Sequence, residues 1–343
     1  MDKNPAITIN GTSVPPGKRA DVHLPIADLY TATSVSMPVQ VVNGRKPGPV
    51  LFVSAAIHGD ELNGVEIVRR LLKRKALASL RGALIAVPIV NVHGFLDQSR
   101  YLPDRRDLNR SFPGSAKGSV AARLANTFLN EIVTRADYGI DLHTGAVDRS
   151  NLPQIRANLD DAETLMLARA FGVPVIINSD VRDGSLRGCA SDMGKPVITY
   201  EAGEALRFDQ WAITPGVRGV LRVMRRLGML TGEHRRRPVP AAEVANGSSW
   251  ARAPIDGILR PKVRLGARVG RGELLGRVAD PFGNAEGEVR SVADGIVIGM
   301  SRLPLANEGE ALFHIARFDA IEEAESAIED FHSSLEPPPD PLY

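Results

Sequence analysis

The feature that most constrains this chain is a short apolar run that stops at a histidine. Residues 50–57, Val-Leu-Phe-Val-Ser-Ala-Ala-Ile, are preceded by Gly48-Pro49 and followed by His58-Gly59. A run of that length between turn residues reads as a strand buried on both faces. Leu62, Val65, Val68, Leu71 and Leu72 then recur at helical spacing, with Arg and Lys on the opposite face and in the last turn. The alternation continues, with strands expected over 83–90, 138–143, 174–178 and 196–201 and helices over 120–132, 162–171 and 216–230. Strands and helices in such alternation imply an α/β domain on a mixed, largely parallel sheet flanked by helices.

The texture differs on either side of this pattern. Residues 1–45 are Pro- and Gly-punctuated and rich in Val and Thr, which suggests small strands packing on the main domain of 46–231. The stretch 232–249 opens on Gly-Glu-His-Arg-Arg-Arg-Pro-Val-Pro and reads as a linker, its arginines a solvated connector. Beyond it, Ala253-Pro-Ile-Asp-Gly-Ile-Leu259 is echoed by Ser291-Val-Ala-Asp-Gly-Ile-Val297, with Asp256 and Asp294 in matching places. Two similar Gly-rich halves over 250–318 imply a small all-β barrel-sandwich. This part resembles the lipoyl/biotinyl-like barrels, but the turn at 279–284, Ala-Asp-Pro-Phe-Gly-Asn, has no acceptor lysine. An acidic helix and a Pro-rich tail are expected over 319–343.

Bulk properties exclude several functions. Forty-two basic against 40 acidic side chains leave +2, too little excess for a dedicated nucleic-acid binder. One cysteine, Cys189, rules out a disulfide framework and a cysteine-based zinc knuckle. The apolar runs fall short of the ~20 residues of a membrane span. No apolar stretch follows the first residues, so a cytoplasmic protein with no membrane partner is expected.

Three constellations carry chemistry. Of seven histidines, only His58 has an acid three residues later, Glu61. His58 directly follows a buried strand, and the carboxyl ends of parallel strands are where open α/β sheets bind ligands. A zinc ion with an open position commonly takes three protein ligands, often two nitrogens and a carboxylate. A third ligand should come from another strand end, and His143 in Asp141-Leu-His-Thr-Gly145 is the natural candidate. Asp141, two residues back on the same face, can orient it as a hydrogen-bond acceptor. A core histidine bonded to Asp141 would look the same in sequence. Third, Arg100-Tyr-Leu-Pro-Asp-Arg-Arg-Asp-Leu-Asn-Arg-Ser-Phe-Pro-Gly114 forms an arginine-rich polar loop. Guanidinium groups hold carboxylates in two-point geometry, although Asp104 and Asp107 offer the same loop internal partners.

Taken in order, His-x-x-Glu, Arg-Tyr, Asp-Leu-Asn-Arg-x-Phe-Pro-Gly, Asp-Leu-His-x-Gly and Glu-x-Gly resemble the succinylglutamate desuccinylase/aspartoacylase family. These are zinc-dependent deacylases related to the metallocarboxypeptidases. The resemblance covers roughly residues 40–235 and extends loosely to the C-terminal barrel. It implies one zinc ion per subunit on His58, Glu61 and His143, with Asn109 and Arg110 clamping a substrate carboxylate. It further implies that Arg100 polarises the scissile carbonyl and that Glu201, in Thr199-Tyr-Glu-Ala-Gly203, is the catalytic carboxylate. Glu201 also ends an apolar strand, where an idle charge would be costly. The spacing from Arg-Tyr to Asp-Leu-Asn-Arg is longer than in aspartoacylases, so Arg105 or Arg106 competes for the role given to Arg100. The tyrosine that the aspartoacylase branch brings from its C-terminal domain has no counterpart, since Tyr343 lies in the tail.

The expected activity is hydrolysis of an amide bond in an N-acyl amino acid or a related small carboxylate-bearing amide, by a possible homo-oligomer. The alternative is a metallocarboxypeptidase acting on a peptide-like C-terminus. A non-catalytic binding protein fits poorly with three ligand types plus Glu201. A thiol hydrolase fits poorly because no histidine lies near Cys189 in the chain.

Overall fold

The computed structural model describes residues 3–179, 182–231 and 242–335. Most of the expected linker (232–241) and the Pro-rich tail (336–343) lie outside the described residues.

Four parallel strands form the centre, in the spatial order Arg81–Val87, Lys46–Ala55, Tyr138–His143 and Val197–Gly203. Two antiparallel strands, Ser34–Asn43 and Arg19–Asp28, extend one edge. On the other side Arg149–Ala157 runs antiparallel to Val197–Gly203. From there the same sheet continues through Gly295–Ser301 and Ala311–Arg317 to Gly247–Arg252.

Both faces of the centre are buried, and the strand period of two sorts side chains between them. Leu51, Val53, Ile140, Leu142, Ile198 and Tyr200 face the helices Asn63–Leu72, Ala162–Phe171 and Gln210–Arg226. Phe52, Ile85 and Val197 face the opposite way, against the helix Val120–Glu131. There Phe128 meets Phe52 edge to face at 6.0 Å. Local chemistry sets the helix ends. Ser119 accepts from the backbone N–H of Ala122, Asp161 accepts from that of Thr164, and Gly172 closes its helix in the left-handed conformation. Gly64 lets the first helix seat directly on the strand ends, since a Cβ there would lie 2.7 Å from the Ala55 Cβ.

The C-terminal part adds a four-stranded antiparallel sheet, Glu286–Arg290, Leu274–Ala279, Gly257–Pro261 and Leu305–Ala306. The two matching aspartates do matching work. Asp256 accepts from the backbone N–H of Glu308 (2.8 Å) and Asp294 from that of Arg271 (2.9 Å). The chain is thus mixed α/β with C-terminal antiparallel β-sheets. No described helix is long and apolar enough to cross a membrane.

Candidate active site

The site lies at the carboxyl ends of the parallel strands, on the face that carries Phe52. Strand Lys46–Ala55 ends two residues before the apolar run does, because Ala56 turns out of the sheet at φ 52°. Its carbonyl still accepts from the Asn91 N–H at 2.9 Å. Gly59 then passes so close to the Gly94 backbone that a Cβ would sit 1.9 Å from it. Together these features bring His58 and Glu61 back over the sheet. His143 ends its own strand, and the register sets it beside Glu201.

Three ligand-type side chains converge. His58 Nδ1 lies 2.6 Å from Glu61 Oε1, and His143 Nδ1 lies 2.7 Å from Glu61 Oε2. All three residues are at least 95% buried. The outer nitrogen of each imidazole meets another carboxylate: His143 Nε2 is 2.6 Å from Asp141, and His58 Nε2 is 3.2 Å from Asp107. Asp141 is held in turn by the Ser54 hydroxyl at 2.7 Å. Two imidazoles and a carboxylate, each histidine backed by a second carboxylate, make a donor set suited to a divalent cation. The ligand-capable atoms of the three lie within 4.8 Å of one another.

Electrostatics couples the cluster. Burial pulls the His58 pKa down, but Glu61 and Asp107 outweigh it and hold it above the usual imidazole value. Burial likewise opposes the charged form of His143, while Asp141 and Glu61 raise its pKa well above that value. Burial would raise Glu61, yet the two imidazoles keep it well below the carboxylate range.

His58, Glu61, Arg100, Asn109, Arg110, Asp141, His143 and Glu201 line one cavity of about 870 Å³. Arg100 donates to Asp107 at 2.9 Å and lies 3.7 Å from Glu61; the exposed Arg105 and Arg106 do not line the cavity. Asn109 is fixed by its own side-chain oxygen, which accepts from the Leu186 N–H at 2.9 Å. The exposed Arg110 reaches the Asn109 carbonyl at 2.5 Å. Glu201 pairs with Arg156 at 2.9 Å and accepts from Asn151 at 3.1 Å.

Sequence reasoning missed several members. Asp107 takes on His58, Arg100 and the Asn109 N–H (2.8 Å) with one side chain. It stood in the quoted arginine-rich string, where Asp-x-Asn is an N-cap-like signal. Arg149, Arg156, Trp250, Arg252, Glu310 and His314 also line the cavity, and no short-range pattern linked them to it.

Residues 47–227 match the succinylglutamate desuccinylase/aspartoacylase catalytic domain. The N-alpha-acetyl-L-2,4-diaminobutyric acid deacetylase of Halomonas elongata is 30% identical over 307 residues, which is 85% of this chain and 89% of that protein. The product-bound ectoine utilization protein EutE (DoeB) of Ruegeria pomeroyi is 26% identical with a TM-score of 0.79, over 92% of this chain and 100% of that one. A succinylglutamate desuccinylase/aspartoacylase from Rhodobacter sphaeroides shares the fold, at 24% identity and a TM-score of 0.78, over 88% and 96% of the two chains. The matched catalytic domain spans more than half the chain and runs from before His58 to beyond Glu201, so this protein belongs to the succinylglutamate desuccinylase/aspartoacylase family.

Proposed function

We propose that this protein is a zinc-dependent deacylase that hydrolyses the amide bond of a small N-acyl amino acid. The observation that carries the reading is the convergence of His58, Glu61 and His143 beside Glu201 in one cavity. The activity named for the Halomonas elongata relative supports it. Strands Gly247–Arg252 and Ala311–Arg317 form one wall of that cavity.

His58 Nδ1, the Glu61 carboxylate and His143 Nδ1 would hold the metal. Zinc bound there would supply Lewis acidity towards water and the amide carbonyl. Asp107 and Asp141 fix the two imidazoles through their outer nitrogens, so the inner ones stay aimed at Glu61. Glu201 takes the proton of the attacking water and delivers it to the leaving amine. Arg100, held by Asp107, donates to the carbonyl oxygen as negative charge develops there. Asn109 and Arg110 grip the α-carboxylate of the amino-acid half.

The test is turnover of N-acetyl-, N-succinyl- and N-formyl-amino acids beside C-terminal peptides, with zinc and after chelation. Zinc-restored deacylation is the expected result. Peptide cleavage without deacylation would overturn the reading in favour of a carboxypeptidase.

A further inference from the structure

A second groove, of about 730 Å³, lies at the pole opposite the metal cluster. It sits at the amino ends of the parallel strands Lys46–Ala55 and Arg81–Val87, a strand length of roughly 30 Å from His58 and Glu61. Three segments enclose it, residues 17–19, 42–45 and 72–78, the last at and beyond the end of helix Asn63–Leu72. Six cations line it: Lys18, Arg19, Arg45, Lys73, Arg74 and Lys75. Among the described residues no acidic side chain lines it, and none of the six cations forms an ion pair. The whole chain carries only +2, so this excess is local. Like charges gathered in this way repel, and a bound anion would relieve the repulsion.

The groove is held in shape by its own hydrogen bonds. Asn43 is buried; its amide donates to the Pro5 and Val14 carbonyls at 2.9 and 2.8 Å, and its side-chain oxygen accepts from the Asn4 amide at 2.6 Å. The Gly17 N–H donates to the Asn43 carbonyl at 2.8 Å and the Asn43 N–H to the Lys18 carbonyl at 2.9 Å, which latches two of the three segments together. Gly17, at φ 77°, has no side chain, and the Arg45 stem takes that space, its Cγ 2.7 Å from where a Cβ would stand. Arg19 donates to the Leu72 carbonyl at 3.1 Å, which ties the third segment to the first. Basic residues after a helix commonly answer its negative end. That accounts for Lys73, Arg74 and Lys75, but not for Lys18, Arg19 and Arg45, which come from the other two segments.

We propose that this groove binds a small anion bearing two or more phosphate groups. A single carboxylate would answer one of the six charges. Each phosphate carries close to two charges at pH 7 and offers three acceptor oxygens, and guanidinium groups hold it at two points. Val42, Leu72 and Leu77 give the groove an apolar side, against which the organic part of such a ligand can rest. The site is separate from the metal cluster and does not depend on the deacylase reading.

The test is calorimetric titration of the zinc-loaded full chain with inorganic phosphate, pyrophosphate and tripolyphosphate, at 50 and 200 mM salt. Affinity should rise along that series and fall with salt. Lys18→Gln/Lys73→Gln/Lys75→Gln removes three exposed charges while leaving the anchored arginines in place. Each exposed, screened contact is worth about three- to fivefold, so the triple variant should bind tripolyphosphate about 30- to 100-fold more weakly. Arg45→Gln should weaken it as well, and unchanged melting temperatures without ligand would show that both variants fold. Any binding of these anions at the metal cluster is the same in wild type and variants, so the difference between them belongs to the groove. No saturable binding, equal affinity for phosphate and tripolyphosphate, or wild-type affinity in the triple variant would overturn the site. A single-stranded oligonucleotide that binds more tightly than tripolyphosphate, and is released by the same substitutions, would overturn the assignment to a small ligand.

Discussion

Replacing Asp107 by Asn tests how far one carboxylate organises the site. Its Oδ1 meets His58 Nε2 at 3.2 Å and the Asn109 N–H at 2.8 Å, while Oδ2 takes two Arg100 donors at 2.9 and 3.2 Å. An asparagine keeps the shape but loses the charge, and its amide can satisfy only one side of that set. The outer carboxylate on a metal-binding histidine is worth roughly 10- to 100-fold in metal affinity, or about 1.4–2.7 kcal/mol. Arg100, half of whose contacts are with this group, would also drift, and a misplacement of about 1 Å can cost ~10² in rate. Zinc affinity of the variant, measured by competition with a chromophoric chelator, should therefore fall 10- to 100-fold. With zinc restored to full occupancy, kcat/KM should remain down by about 100-fold. Wild-type zinc affinity in Asp107→Asn would refute the argument that this residue supports His58. Full activity at saturating zinc would refute the part concerning Arg100.

Other outcomes follow from the same geometry. Glu201→Gln should bind zinc and fold normally but turn over about 10²- to 10⁴-fold more slowly, as stopped-flow and metal analysis would show; a tenfold loss or less would point to another base. Arg110→Lys should not restore full activity, because an ammonium cannot make the planar two-point contact, and the wild type should reject substrates with an amidated α-carboxylate. In zinc-free protein, His58 and His143 hold pKa values above the unfolded 6.5, so the stability they confer is present below about pH 6.5 and lost as pH rises through their folded values. Glu61 and Asp107 are depressed, so their contribution is present above their unfolded 4.5 and 3.8 and lost as pH falls. Thermal melts with a chelator should thus decline from pH 6 to 9, and zinc should abolish the decline by replacing the protons; a rise over that range in the chelated protein would count against the cluster.

The sequence by itself pointed to the alternating strands and helices of the centre and to His58, Glu61 and His143, although the helix expected over 216–230 begins and ends earlier, at Gln210–Arg226. Strand Tyr138–His143 and helix Ala162–Phe171 have the expected limits, because a doubly buried strand and a capped amphipathic helix are both set by neighbours within one or two turns. His58 and Glu61 stand out because an acid three residues after a strand-ending histidine is itself a signal, whereas Asn109 and Arg110 are picked out by the family resemblance of the string that holds them. Strand Arg149–Ala157 was not legible, since Pro153 argues against a central strand. Only the tertiary structure explains it. Residues 149–151 pair on one side with Gly295–Ser301 and residues 154–157 with Val175–Asn178, and Pro153 falls at the changeover, where no ladder bond to that side is made. That strand joins the parallel centre, through Val197–Gly203, to the C-terminal strands. It brings Arg149 and Arg156 to within reach of Trp250 and His314, residues about 100 to 165 positions further along the chain. Pairing across such separations is decided by which edges remain open once the core has formed, and no local pattern records that choice.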